Sequence, residues 1–167
     1  AEIALLDLES QYLSSYKKGF LIDAAEVGTL QKSSLCVIYG EDGKVMEYTL
    51  APRIVFCGNM TDSADAIAAL GSEGDRVLRQ VILYKTDAEG RISALEKATV
   101  LSDGDLPFEG FYQYSGDSFS YNIGYKSFDD KYLVNSDTII FTYPDEKYRD
   151  DYGRYGKMTL PTGEGTT

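Results

Sequence analysis

The stretch from Arg76 to Lys97 carries the strongest structural signal in the chain. Arg76-Val-Leu-Arg-Gln-Val-Ile-Leu-Tyr-Lys is followed by the acidic run Thr86-Asp-Ala-Glu-Gly and then by Arg91-Ile-Ser-Ala-Leu-Glu-Lys. Apolar runs bounded by turn residues read as a long strand, a tight turn closed by Gly90, and a returning strand. A second hairpin stands upstream. Leu35 to Tyr39 is a compact apolar run, Gly40-Glu41-Asp42-Gly43 is a turn, and Lys44 to Leu50 alternates Val45, Glu47 and Thr49 with Met46, Tyr48 and Leu50. Val37-Ile38-Tyr39 matches Ile82-Leu83-Tyr84, and Gly43-Lys44-Val45 matches Gly90-Arg91-Ile92. The two hairpins are either a weak internal repeat or two uses of the same turn chemistry.

The rest of the chain follows the same short-strand texture. Glu2 to Leu13 suits a helix or a strand equally. Gly19 to Val27 begins as a buried strand and is turned by Gly28. Pro52 should end the strand before it, because proline offers no ladder N–H. Arg53 to Cys57 then makes a further short strand, stopped by Gly58-Asn59. Thr61 to Leu70 is the one helix: Asp62 or Ser63 caps it, Asp65 suits its positive end and Gly71 closes it. A helix that short takes its stability from packing Ile67 and Leu70 on a sheet. Beyond Ser102-Asp-Gly-Asp and Pro107, aromatic and small polar residues alternate. The last strong strand is Asp137 to Tyr143. After it, Tyr143, Tyr148, Tyr152 and Tyr155 have few aliphatic neighbours, so they should cover an edge or face solvent. The expected fold is mainly β, an antiparallel small barrel or sandwich, with one short helix near 62–70. Residues 1–105 would form a barrel-like module, 106–160 a second β segment or part of the same domain, and 161–167 a linker-like tail.

Composition excludes more than it includes. The chain has no His, so Ser-His-Asp and Cys-His nucleophile systems, His-ligated zinc and an imidazole pH switch are all ruled out. Its net charge of −11, from 16 basic and 27 acidic residues, argues against nucleic acid and against anionic membrane surfaces. No apolar run reaches transmembrane length, so no direct membrane insertion is expected. Cys36 and Cys57 lie in or beside apolar runs, as two small buried hydrophobes or, if their strands adjoin, as a disulfide. The chain opens on Ala and closes on a Gly/Thr tail. That pattern reads as a piece of a longer protein.

Three kinds of site are worth placing. Glycoside hydrolysis needs two carboxylates, and Asp103 with Asp105, Asp129 with Asp130, and Asp150 with Asp151 are the pairs on offer. All lie in loops where Asp is an ordinary turn residue, so no enzyme is expected. Calcium takes hard oxygen ligands, and Asp103, Asp105, Asp129 and Asp130 are the candidates, although no complete EF-hand loop is present. Exposed aromatic rings can stack on sugars, and Tyr112, Tyr114, Tyr121 and Tyr125 would form such a platform; alternatively they are ordinary strand residues. Gly153-Arg-Tyr-Gly lacks the Lys-Ser/Thr and helix of a phosphate loop.

Three segments also carry a resemblance. Gly19-Phe-Leu-Ile-Asp-Ala-Ala, the pair Val81-Ile-Leu-Tyr-Lys and Asp87-Ala-Glu-Gly-Arg-Ile-Ser-Ala-Leu, and Lys131-Tyr-Leu-Val-Asn-Ser-Asp-Thr-Ile-Ile-Phe occur here in that order. They resemble the non-anchoring region of S-layer homology (SLH) domain-containing surface proteins of gut Firmicutes. The resemblance implies an exported protein, extracellular and held at the cell wall by SLH repeats that are not in this chain. The expected function is a non-catalytic structural or interaction module, with neighbouring domains of the parent chain as partners. The alternative is a carbohydrate-binding module that uses exposed tyrosines on cell-wall or host glycans. No cofactor is expected beyond calcium.

Overall fold

A computed structural model describes residues 2–8, 15–101, 111–116, 121–122, 127–128, 132–133 and 139–158, with side-chain surroundings over 15–98 and 140–157. The chain divides into two compact units, one continuous (Leu13–Ala98) and one built from Ala1–Tyr12 and Thr99–Thr167. The fold is mainly β with a single short helix among the described residues. Strand β1 (Glu2–Leu8) belongs to the discontinuous unit. The continuous unit then contributes β2 (Lys17–Val27), β3 (Ser33–Gly40), β4 (Val45–Phe56), β5 (Asn59–Asp62), helix α1 (Ser63–Ala69), β6 (Ser72–Glu73), β7 (Arg76–Val77), β8 (Gln80–Thr86) and β9 (Ile92–Lys97).

The main sheet of the continuous unit runs β3-β2-β8-β9-β4-β5, and β3 also pairs with β4. That extra pairing makes the sheet ring-like. Its ladders are antiparallel except β4 against β9, which run parallel. The two hairpins recognised in the sequence share one turn geometry. Gly40 N–H donates to Lys44 O and Gly43 N–H to Gly40 O, just as Asp87 N–H donates to Arg91 O and Gly90 N–H to Asp87 O. Gly43 and Gly90 both take φ of +80° at the same step, a conformation that side chains with a Cβ rarely adopt. An aspartate stiffens each turn: Asp42 Oδ1 accepts Lys44 N–H, and Asp87 Oδ1 accepts the N–H groups of Glu89 and Arg91.

Several local expectations are corrected. Pro52 does not end a strand; β4 runs through it from Val45 to Phe56. The parallel ladder to β9 slips between Leu50 and Val55, so Pro52 sits where no regular N–H is required. The strand does end at Gly58-Asn59, and there it turns back at once. Cys57 (φ +50°) and Gly58 (φ +87°) form a two-residue hairpin turn that sends the chain back as β5, with Phe56 opposite Asn59. The long strand expected from Arg76 to Lys85 is broken at Leu78-Arg79: Arg76–Val77 pairs with Ser72–Glu73, and the main-sheet strand starts at Gln80. Gln80 is buried there, and its amide donates to the carbonyls of Leu70 and Leu78. Cys36 is buried and Cys57 exposed, and both are free thiols.

The core is aliphatic. Leu21, Ile38, Ile54, Ile82 and Ile92 are fully buried, and α1 adds Ala66, with Ile67 and the C-cap residue Leu70 against them. Burying Leu70 contributes roughly 1.5–3 kcal/mol, enough to hold a helix of seven residues that would not persist alone. A bulge at Ile22, between the Leu21 and Asp23 pairings to β3, lets Phe20, Leu21 and Ile22 be buried in succession.

The discontinuous unit adds β10 (Thr99–Leu101), β11 (Phe111–Gly116), β12 (Tyr121–Asn122), β13 (Ser127–Phe128), β14 (Tyr132–Leu133), β15 (Ile139–Tyr143) and β16 (Gly156–Met158). β1 lies between β11 and β15 in a sheet ordered β10-β11-β1-β15-β16. The ambiguous N-terminal stretch is therefore a strand with a neighbour on each side. Two tyrosines expected on an edge or in solvent are buried instead: Tyr143 on β15, and Tyr155, whose hydroxyl donates to Arg149 O at 2.7 Å. Tyr148 and Tyr152 are exposed, and the Arg154 guanidinium lies 4.0 Å from the Tyr148 ring centre.

Candidate functional site

One cavity in the continuous unit lies beside the Gly40–Lys44 turn, with a volume of about 220 Å³. Strand register assembles it. Ile38 on β3 stands opposite Met46 on β4, and Lys17 on β2 opposite Tyr84 on β8. Tyr48, two residues beyond Met46, projects from the same face of β4. The rings of Tyr48 and Tyr84 meet with centres 5.5 Å apart at 55°. Gly19 makes this packing possible. A Cβ there would stand 2.5 Å from Ile38 Cγ2, closer than carbon atoms tolerate, and a tight 3.2 Å from Tyr84 Cε1.

The electrostatics favour holding a ligand over attacking one. Burial, reinforced by the Tyr48 hydroxyl, pushes the Tyr84 phenol well above the ordinary tyrosine range, so it is a neutral donor and acceptor. Lys17 and Lys44 stand at the rim with Glu41 and Asp42. Neither lysine makes an ion pair among the described residues. The rim thus balances two ammonium groups with two carboxylates.

A second, wider hollow of about 450 Å³ lies near the start of α1, where the buried hydroxyls of Ser34 and Ser63 are 3.0 Å apart. Three other carboxylates of the unit hold structure. Asp23 pairs with Arg76, Glu73 grips the buried Arg79 through both oxygens at 2.9 and 3.0 Å, and Asp87 Oδ2 takes the Arg91 Nε at 3.0 Å. In the discontinuous unit Asp151 pairs with Arg154 at 2.9 Å. Burial pushes the Cys36 thiol up to about 12, with nearby Glu47 adding to the effect, so it is no nucleophile at neutral pH.

The site residues expected from sequence fall elsewhere. Tyr112 and Tyr114 are on β11, opposite Asp7 and Leu5 of β1 and opposite Thr99 and Leu101 of β10. Tyr121 is on β12, in the separate three-stranded sheet, opposite Phe128. Tyr125, Asp103, Asp105, Asp129 and Asp130 lie outside the described residues. No group of three or more metal-ligating side chains occurs among the described residues. Sequence reasoning passed over Tyr48, Tyr84 and Gly19. A glycine inside a strand was the available signal, since it marks close approach of neighbouring side chains. Compared with protein-family models, curated proteins and solved structures, the chain gives no significant match.

Proposed function

We propose that this chain is a non-catalytic structural or interaction module of a larger, exported cell-surface protein. The observation that carries the reading is how the continuous unit spends its charged side chains. Asp23–Arg76, Glu73–Arg79 and Asp87–Arg91 fasten strands and turns of a ring-like sheet, and Asp42 braces a turn. A sheet that pairs β3 with both β2 and β4 also presents few open edges to its neighbours, which suits a part displayed in series. The surface address rests on the resemblance of the Gly19, Val81 and Lys131 segments to proteins carrying S-layer homology domains. Its partners would be adjacent domains of the parent chain.

The test is topological. An antibody raised against residues 13–98 should label intact cells that make the full-length protein, and brief protease treatment of those cells should remove the epitope. Recovery of the epitope only from the soluble intracellular fraction would refute the reading.

A further inference from the structure

We propose that the cavity beside the Gly40–Lys44 turn binds a single neutral sugar ring. This goes beyond the structural role and does not depend on it. It also places glycan recognition on Tyr48 and Tyr84, a different pair from the tyrosines picked out in the sequence.

Three observations select the ligand class. The first is size: about 220 Å³ is below the roughly 300–1,000 Å³ of sites for drug-sized ligands, so one ring fits and a chain of rings would protrude. The second is the alternation of surface. Ile38, Met46 and the Tyr48 ring offer an apolar wall, with Met46 left 48% exposed at the mouth. Beside it stand phenol, ammonium and carboxylate groups that both donate and accept hydrogen bonds. A sugar has the same division, with C–H faces on one side and hydroxyls that donate and accept on the other. The third is charge. Lys17 and Lys44 are offset by Glu41 and Asp42, so the rim has no net charge with which to draw in a phosphate, a sulfate or a metal cation. Tyr48 and Tyr84, both in the cavity lining, would turn their hydroxyls to the ring hydroxyls.

The experiment is an NMR titration of the whole chain, reading the Met46 methyl and the Tyr48 ring signals. The probes are the methyl glycosides of glucose, galactose and N-acetylglucosamine, with sodium sulfate as a separate arm. At least one glycoside should give saturable shifts confined to the cavity, with a dissociation constant on the order of 1–10 mM for a ligand of this size. Tyr48→Ala should weaken that binding about tenfold or more, as loss of a central aromatic contact does. Because Tyr48 also packs on the core, Met46→Lys is the second variant. It sits at the exposed mouth, should leave the fold intact, and should block the cavity to a similar extent. The proposal is overturned if no glycoside shifts these signals at about 50 mM, well above the affinity expected of one ring. It is equally overturned if sulfate alone does so, or if Met46→Lys binds as the wild type does. None of these results bears on whether the chain is displayed at a cell surface.

Discussion

Removing Glu73 should unfold the continuous unit far more readily than removing the arginine it holds. Arg79 is a buried cation: its side chain is 2% exposed, against 27% for Glu73. Both carboxylate oxygens are used, Oε1 on Nε at 2.9 Å and Oε2 on Nη2 at 3.0 Å, and Oε1 also reaches the Arg79 backbone N–H at 3.4 Å. Glu73→Ala leaves a guanidinium out of water without its counter-charge, and breaking a buried pair that way costs about 3–5 kcal/mol. Glu73→Gln keeps one carbonyl acceptor and loses the charge, so it should cost about half as much, near 2 kcal/mol. Arg79→Met replaces the cation with an apolar chain of similar length. It leaves behind a carboxylate that water can reach, so about 1–2 kcal/mol is expected. Urea denaturation followed by near-ultraviolet circular dichroism of the tyrosines gives the three values, and amide exchange at Ile82 and Leu83 reports the same unit locally. If Arg79→Met destabilises as much as Glu73→Ala, or if Glu73→Ala costs under about 1 kcal/mol, the argument from unequal burial is wrong.

Gly19→Ala should destabilise by about 1–3 kcal/mol in the same assay, because its Cβ would press on Ile38 and Tyr84, and it should also abolish the glycoside shifts. Two carboxylates should respond to pH with opposite signs. Hydrogen bonds from the Arg91 backbone and side chain hold Asp87 below the usual aspartate range, so its stabilisation is present above the unfolded-state pKa and disappears as pH falls through the lowered folded one. Burial raises Glu96, so its ionisation costs stability as pH climbs from the ordinary glutamate value through the raised folded one. Asp87→Asn should therefore flatten the acid limb of a stability–pH curve, whereas Glu96→Gln should stabilise the chain at neutral pH; an unchanged curve in both variants would contradict these assignments. Iodoacetamide should modify one cysteine in the native chain, the exposed Cys57, and two after unfolding in urea; modification of Cys36 in the native chain, read by peptide mass, would show that its strand opens.

Local chemistry was legible wherever it was self-contained. The turns at Gly43 and Gly90 follow from glycine's freedom at positive φ, with Asp42 and Asp87 spaced to accept turn N–H groups. The Ser63–Ala69 helix follows from a run of alanines ahead of a left-handed Gly71. The alternation of Met46, Tyr48 and Leu50 named one face of β4 correctly, because a strand's side-chain period is two whatever lies around it. What the sequence could not settle were matters of partner and environment. Pro52 reads as a stop until one sees that its ladder has already slipped. Glu2–Leu8 stays ambiguous until β11 and β15, more than a hundred residues away, close on either side of it. Tyr143 and Tyr155 look like surface residues because the tyrosine-rich segment they belong to offers few aliphatic partners in sequence, yet both are buried. The same limit hid the cavity, which draws Lys17, Ile38, Tyr48 and Tyr84 from four separate strands. Period and turn chemistry act over a few residues, so one chain specifies them alone. Burial and pocket shape are set by which strands pair, and that is decided only when the whole sheet closes.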